Sequence, residues 1–346
     1  MRRVLIILLL LSTMVLPVSA NGIVAPEVPD DVESLFPEER DNFGAALLHI
    51  LKEAISQMQP LVADAAKTFA QILGLAILLS LLHNYSGKSS AIVELGGVLG
   101  ISAILTLDSS SLIQVGTDTI WQISQYGKLL LPVLAVALTA QGGTMTAATV
   151  YGATAIFDSV ICTIIASVLV PILYVYLVLS IVNAVSGDPM LAKLGDMIKG
   201  LTSWLLKILL YVFVGYVSVS GIISGTADQT VIKATKLTLS GMIPVVGGIV
   251  SDASETILVS AGLIKNTVGI YGFLAIISIV ILPFLSMGVN YLTLKISAIF
   301  AGIFLPKSIS KLLEDFTGVL GLLLGMTGSV CVIQLISVVC FMKGMT

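Results

Sequence analysis

Residues 225–272 read GTADQTVIKATKLTLSGMIPVVGGIVSDASETILVSAGLIKNTVGIYG. Apolar runs press in from both sides. Yet this stretch carries Asp228, Lys233, Lys236, Asp252, Glu255 and Lys265, and Pro244, Gly247 and Gly248 interrupt its helical pattern. Lipid offers no hydrogen bonds to a freed N–H or C=O. Membrane proteins therefore put broken, charge-bearing segments where backbone lines a cavity rather than faces lipid. The fold class turns on whether the remaining chain builds a membrane domain around this stretch.

Composition says that it does. The 346 residues are 57% hydrophobic and 11% charged, with mean hydropathy +1.07; a soluble domain carries about 25% charged residues. This predicts an all-α, polytopic membrane helix bundle whose surroundings are the lipid bilayer. A net charge of −3 argues against nucleic acid as a partner. Cys162, Cys331 and Cys340 lie in apolar runs without pairing or metal spacing, and read as small core residues. There are two histidines, His49 and His83, far apart. No Walker motif, nucleophile elbow, HExxH or dinucleotide fingerprint occurs. The expectation is a protein that is not an enzyme and needs no metal or cofactor.

Three regions follow in order. Residues 1–20 have the form of a signal peptide: Arg2 and Arg3, an apolar core, then Val18-Ser19-Ala20. An uncleaved first membrane helix is the alternative. Residues 21–60 hold eight acidic and two basic side chains. They read as an acidic extracytoplasmic segment ending in an amphipathic helix, with Phe43, Leu47, Ile50, Leu51, Ile55 and Met58 at helical spacing. Residues 61–346 form the multi-pass domain. Its apolar runs fall at 69–82, 91–107, 155–185, 201–224, 268–289, 291–305 and 317–341. Leu129–Ala140 is apolar too, but shorter than the roughly 20 residues a crossing needs, and Pro132 lies near its start. It suits a re-entrant segment. The stretches 186–200 and 307–315 read as polar linkers. Gly321 and Gly325 form a single G-x-x-x-G pair, which permits close helix approach.

A shift of 112 residues superposes the punctuation: Pro132 falls on Pro244 and Pro171 on Pro283, with eight identities over Leu130–Leu173. This suggests an internal duplication, roughly 91–186 and 203–298, with re-entrant, proline-broken hairpins around Pro132 and Pro244. Only the second copy is charged at Asp252, Glu255 and Lys265; the first has Ala140, Gly143 and Ala153 there. Asp252 and Glu255 share a helix face. They either line a conduit with Lys265 or form an interfacial cap, since Asp252 precedes Glu255 by three. Asp158 reads as an acid at a helix start, Lys207 as a snorkelling residue near a span end, and Glu94 as meeting headgroup water.

Within the opening stretch, Gly225-Thr226-Ala227, Lys233-Ala234-Thr235-Lys236, Ile243-Pro244-Val245-Val246-Gly247, Ser251-Asp252-Ala253-Ser254-Glu255-Thr256 and Leu263-Ile264-Lys265-Asn266-Thr267-Val268-Gly269-Ile270 resemble the stage III sporulation protein AE family of endospore-forming bacteria. The resemblance implies a subunit in the mother-cell membrane surrounding the forespore. There it would join other stage III A sporulation proteins and a forespore membrane partner in a channel or secretion-like complex needed after engulfment. Asp252, Glu255, Lys265, Asn266, Pro244 and Gly247 are then the candidate conduit or partner-docking residues. A stand-alone secondary transporter, with its site at the repeat interface, is the competing expectation.

Overall fold

The computed structural model describes residues 25–37, 43–86, 90–140, 146–219 and 267–343. The expected signal peptide at 1–20 and the stretch 220–266 lie outside these, and with them Pro244, Gly247, Asp252, Glu255, Lys265 and Asn266.

Among the described residues, a short 3-10 turn, Asp30–Leu35, is followed by eight α-helices. They are α1 (Phe43–Ser56), α2 (Met58–Ser86), α3 (Ser90–Ala140), α4 (Thr146–Ile164), α5 (Val170–Ser186), α6 (Pro189–Val219), α7 (Thr267–Phe304) and α8 (Lys307–Lys343). No β-strand occurs among the described residues. Among the described residues, six helical runs are long and apolar enough to cross a membrane: Phe43–Leu82, Ala91–Ala137, Gly152–Ser186, Pro189–Val217, Val268–Ile303 and Lys307–Met342. The expected polytopic helix bundle is what forms.

The helices are fewer and longer than the apolar runs suggest. Residues 91–107 and 129–140 are not separate segments; both belong to α3, whose 51 residues extend roughly 76 Å at about 1.5 Å each. The polar stretch joining them stays helical because one face remains apolar: Leu112, Ile113, Ile120 and Ile123 are buried. Pro132 sits inside this helix and does not end it, so no proline-broken hairpin forms here. The same holds at Pro283, inside α7, which unites 268–289 with 291–305. A proline ring removes one helical donor and crowds the preceding turn, and packed neighbours within a bundle absorb that defect.

Pro171 is accommodated differently. Ile165–Leu169 opens into a π turn, and the Val170 N–H donates to the Ile165 carbonyl, five residues back. The two prolines that superpose under the 112-residue shift thus sit in unlike local structure. The polar centre of the second copy, with Pro244, lies in 220–266, so the described helices do not show the duplication.

Helix ends follow local signals. Gly187 takes φ +65, the left-handed conformation that ends α5, and its N–H donates to the Asn183 carbonyl at 2.8 Å. Asp188 then caps α6, its Oδ1 accepting the Met190 N–H at 2.8 Å, with Pro189 in the first turn where no donor is needed. Two residues therefore connect α5 to α6. The expected linker at 186–200 is mostly the first turns of α6, and 307–315 is the start of α8.

The last helix is the hub. α8 packs against α3, α4, α5, α6 and α7, and Leu312, Phe316, Leu320, Leu323, Val330 and Ile333 are fully buried along it. Its glycines let neighbours approach. A Cβ on Gly321 would meet the Tyr291 ring of α7 at 3.4 Å, and one on Gly325 would meet Leu206 of α6 at 3.5 Å. The G-x-x-x-G pair thus serves two neighbours rather than one. α3 also approaches α8 closely at Gly116, where a Cβ would lie 2.7 Å from Leu323 Cδ1.

The N-terminal region packs onto the bundle. Val32 and Leu35 are buried, and the Phe36 ring lies 4.7 Å from that of Tyr271 at the start of α7. In α1, Phe43, Ala46, Ile50 and Ala54 face inward, while Leu48, Leu51 and Ile55 are exposed. The outer face mixes these with exposed His49 and Lys52, so α1 is amphipathic, its apolar face turned to the bundle.

Candidate functional site

Two groups of polar side chains occupy the interior of the described bundle. The first centres on Asp158. It was expected at a helix start, but α4 begins at Thr146, so Asp158 sits in the fourth turn, 3% exposed. The hydroxyl of Ser337 on α8 donates to this carboxyl, with Oγ 3.1 Å from Oδ2 and 3.3 Å from Oδ1. No basic side chain pairs with Asp158 among the described residues. One turn earlier on α4, the Thr154 and Tyr216 hydroxyls are 2.9 Å apart. The Tyr216 ring stacks on Phe157 at 4.2 Å. One turn later, Cys162 lies against Ser124 of α3. Gln334, three residues before Ser337, points at Gly127 of α3; its Oε1 is buried without a partner among the described residues.

Four helices, α3, α4, α6 and α8, thus meet around hydroxyls, an amide and one carboxyl. An ionised side chain inside a bilayer costs about 2.5–3.5 kcal/mol on insertion scales, and such residues mark functional positions by default. Chemically, the group can hold a proton or a cation, or fix four helices in one register.

The second group sits at the opposite end of α8. Asp315 is 5% exposed and accepts hydrogen bonds from Tyr176 Oη at 3.1 Å and Lys311 Nζ at 3.1 Å. Lys311 also reaches Asp196 on α6 at 3.6 Å. The next turn of α8 brings Gly318 beneath Lys199, whose Nζ would be 3.0 Å from a Cβ there. The cleft beside Tyr176, Ser180, Asn183, Gly195 and Asp315 is too tight to hold even a water molecule. This is an ion-pair latch between α5, α6 and α8, not a ligand pocket.

Two other charged positions differ from expectation. Glu94 does not simply meet headgroup water: it accepts a short hydrogen bond from Ser308, joining the starts of α3 and α8. Lys207 lies in the middle of α6, half-buried, because α6 begins twelve residues before the apolar run at 201. The three cysteines are buried and free, as expected. Among the described residues, no His, Cys, Asp and Glu cluster could hold a metal. Tyr176, Asp315, Ser337 and Gln334 carried no motif; long-range partners in sequence leave no spacing to read.

The family profile described as stage III sporulation protein AE matches residues 31–344. A similar protein is Stage III sporulation protein AE of Bacillus subtilis (strain 168), 27% identical over 209 residues. That alignment covers 60% of this chain and 52% of the relative, about half its length. No solved structure matches the chain.

Proposed function

The chain belongs to the stage III sporulation protein AE family, and from that premise we propose that it is a membrane subunit of a channel or secretion-like complex joining mother cell and forespore. The carrying observation is the extent of the match, 31–344, which takes in every described helix and the polar stretch 220–266. Six runs able to cross a membrane support a multi-pass subunit. In this reading the protein sits in the mother-cell membrane around the forespore. Its partners are the other stage III A sporulation proteins and a forespore membrane protein. Asp252, Glu255, Lys265, Asn266, Pro244 and Gly247 are the residues we assign to the conduit or to docking.

The test is genetic and biochemical together. Deleting the gene in its spore-forming host should arrest spores after engulfment, and the tagged protein should co-purify with the other stage III A proteins. Normal sporulation of the deletion strain would overturn the reading. A stand-alone transporter would instead move solute when purified alone into liposomes.

A further inference from the structure

Contacts across the bundle fix which parts of different helices lie at the same depth. Gly116 of α3 meets Leu323 of α8, and Gly127 meets Gln334. Over that same length of α8, Gly325 meets Leu206 of α6, and Ser337, one turn further, meets Asp158 of α4. Tyr216 of α6 stacks on Phe157. The span 116–127 of α3 therefore runs level with about 204–216 of α6 and with the turns around Asp158.

The outer surfaces at this depth disagree. α6 turns out Trp204, Tyr211 and Val212, which are 57%, 54% and 50% exposed; α4 turns out Ile156 and Val160, at 65% and 50%. These are side chains for lipid. On α3 the exposed positions are Ser111, Gln114, Asp118, Gln125 and Lys128, with Val115 and Leu129 beside them. The polar positions recur at three, four and seven residues and so form one stripe along the helix. It extends roughly 25 Å at about 1.5 Å per residue, most of the thickness of a bilayer core.

A helix does not show two charges and three polar groups to hydrocarbon while its neighbours at the same depth show it tryptophan and valine. We propose that this face of α3 is a wall of a water-filled path, and that what passes along it is a hydrated, polar solute. Both signs occur, Asp118 and Lys128, so the wall favours water without selecting one sign of ion. This rests on the channel reading above, in which neighbouring subunits shield the path from lipid.

The test is cysteine labelling of the full-length protein in spore-forming cells. Its three native cysteines are buried, so the background is low. Gln114→Cys, Asp118→Cys and Gln125→Cys should react with a charged methanethiosulfonate about a hundredfold faster than Val160→Cys and Trp204→Cys, the scale on which lipid excludes a charged group. All five should react with a lipophilic maleimide, and Lys128→Cys serves where one α3 variant does not accumulate. Slow labelling on α3 overturns the inference, since another protein surface or lipid then covers the stripe. Fast labelling at all five positions also overturns it, because this depth then lies outside the bilayer. Either result can coexist with arrested spores in the deletion strain, so the proposed function fails separately.

Discussion

At the scale of single residues, the Asp158–Ser337 contact is where chemistry and packing meet. Removing the Ser337 hydroxyl leaves a buried carboxyl without a donor, at a cost of about 1–3 kcal/mol. Ser337→Ala should therefore lower the melting temperature of the detergent-solubilised protein, read by fluorescence-detected gel filtration. Asp158→Asn keeps a hydrogen-bonding group of the same shape and should melt near wild type. If Asp158→Asn melts normally yet fails to support sporulation, the ionisable group itself is needed. Nothing near Asp158 in sequence announces Ser337, which lies 179 residues away. The sequence does place an acid inside an apolar run. It misplaces the helix start, because 146–154 is too small and polar to look like the opening of a span. Asp252, Glu255 and Lys265 were singled out by charge amid apolar residues, a local signal. The two interior groups depend on side chains brought together from different helices, which no local signal carries.

Among elements, the α3–α8 contact sets the packing. Without a hydrophobic drive between helices in lipid, close van der Waals contact holds them together, so small residues at the contact matter most. Gly116→Ala would push a methyl into Leu323 and should destabilise by about 1–3 kcal/mol. Leu323→Ala in the same chain should recover part of that loss. A double-mutant cycle by thermal melting shows coupling of at least about 0.5 kcal/mol if the two sites act through one contact; additive losses would place the Gly116 effect elsewhere. That helices form, and which stretches are apolar, was legible from hydropathy. Their lengths were not. Polar residues in 108–128 suggest a break, but a helix needs only one apolar face to stay packed, and prolines 132 and 283 stop a helix only where nothing compensates the lost donor. The Gly187-Asp188 connection was legible in principle, since a glycine, a capping acid and a proline follow one another there.

For the molecule as a whole, the two interior groups lie toward opposite ends of α8, one tied to α4, the other to α5 and α6. The hub helix is thus polar-stapled toward both ends, with buried hydroxyls of Thr317, Thr327 and Ser329 between, an arrangement that membership of a family does not by itself disclose. Composition was enough to reveal a membrane protein, and the opening stretch was enough to point to its relatives. The arrangement of helices was beyond reach of both, since apolar runs of similar make-up can be stacked in many orders. The central position of α8 also bears on manufacture. A ribosome releases α3, α4, α5 and α6 before the helix they share exists. Until it arrives, Asp158 lacks the Ser337 hydroxyl, Tyr176 lacks Asp315, and Gly116 and Gly127 of α3 lack Leu323 and Gln334. The half-made chain should depend on the insertion machinery or its quality control for that interval. Stopping synthesis after 306 should therefore yield a product that is degraded rather than a smaller stable bundle, and pulse-chase of that truncation against the full chain measures it. Persistence of the truncated product at wild-type levels would mean that the earlier helices hold together unaided.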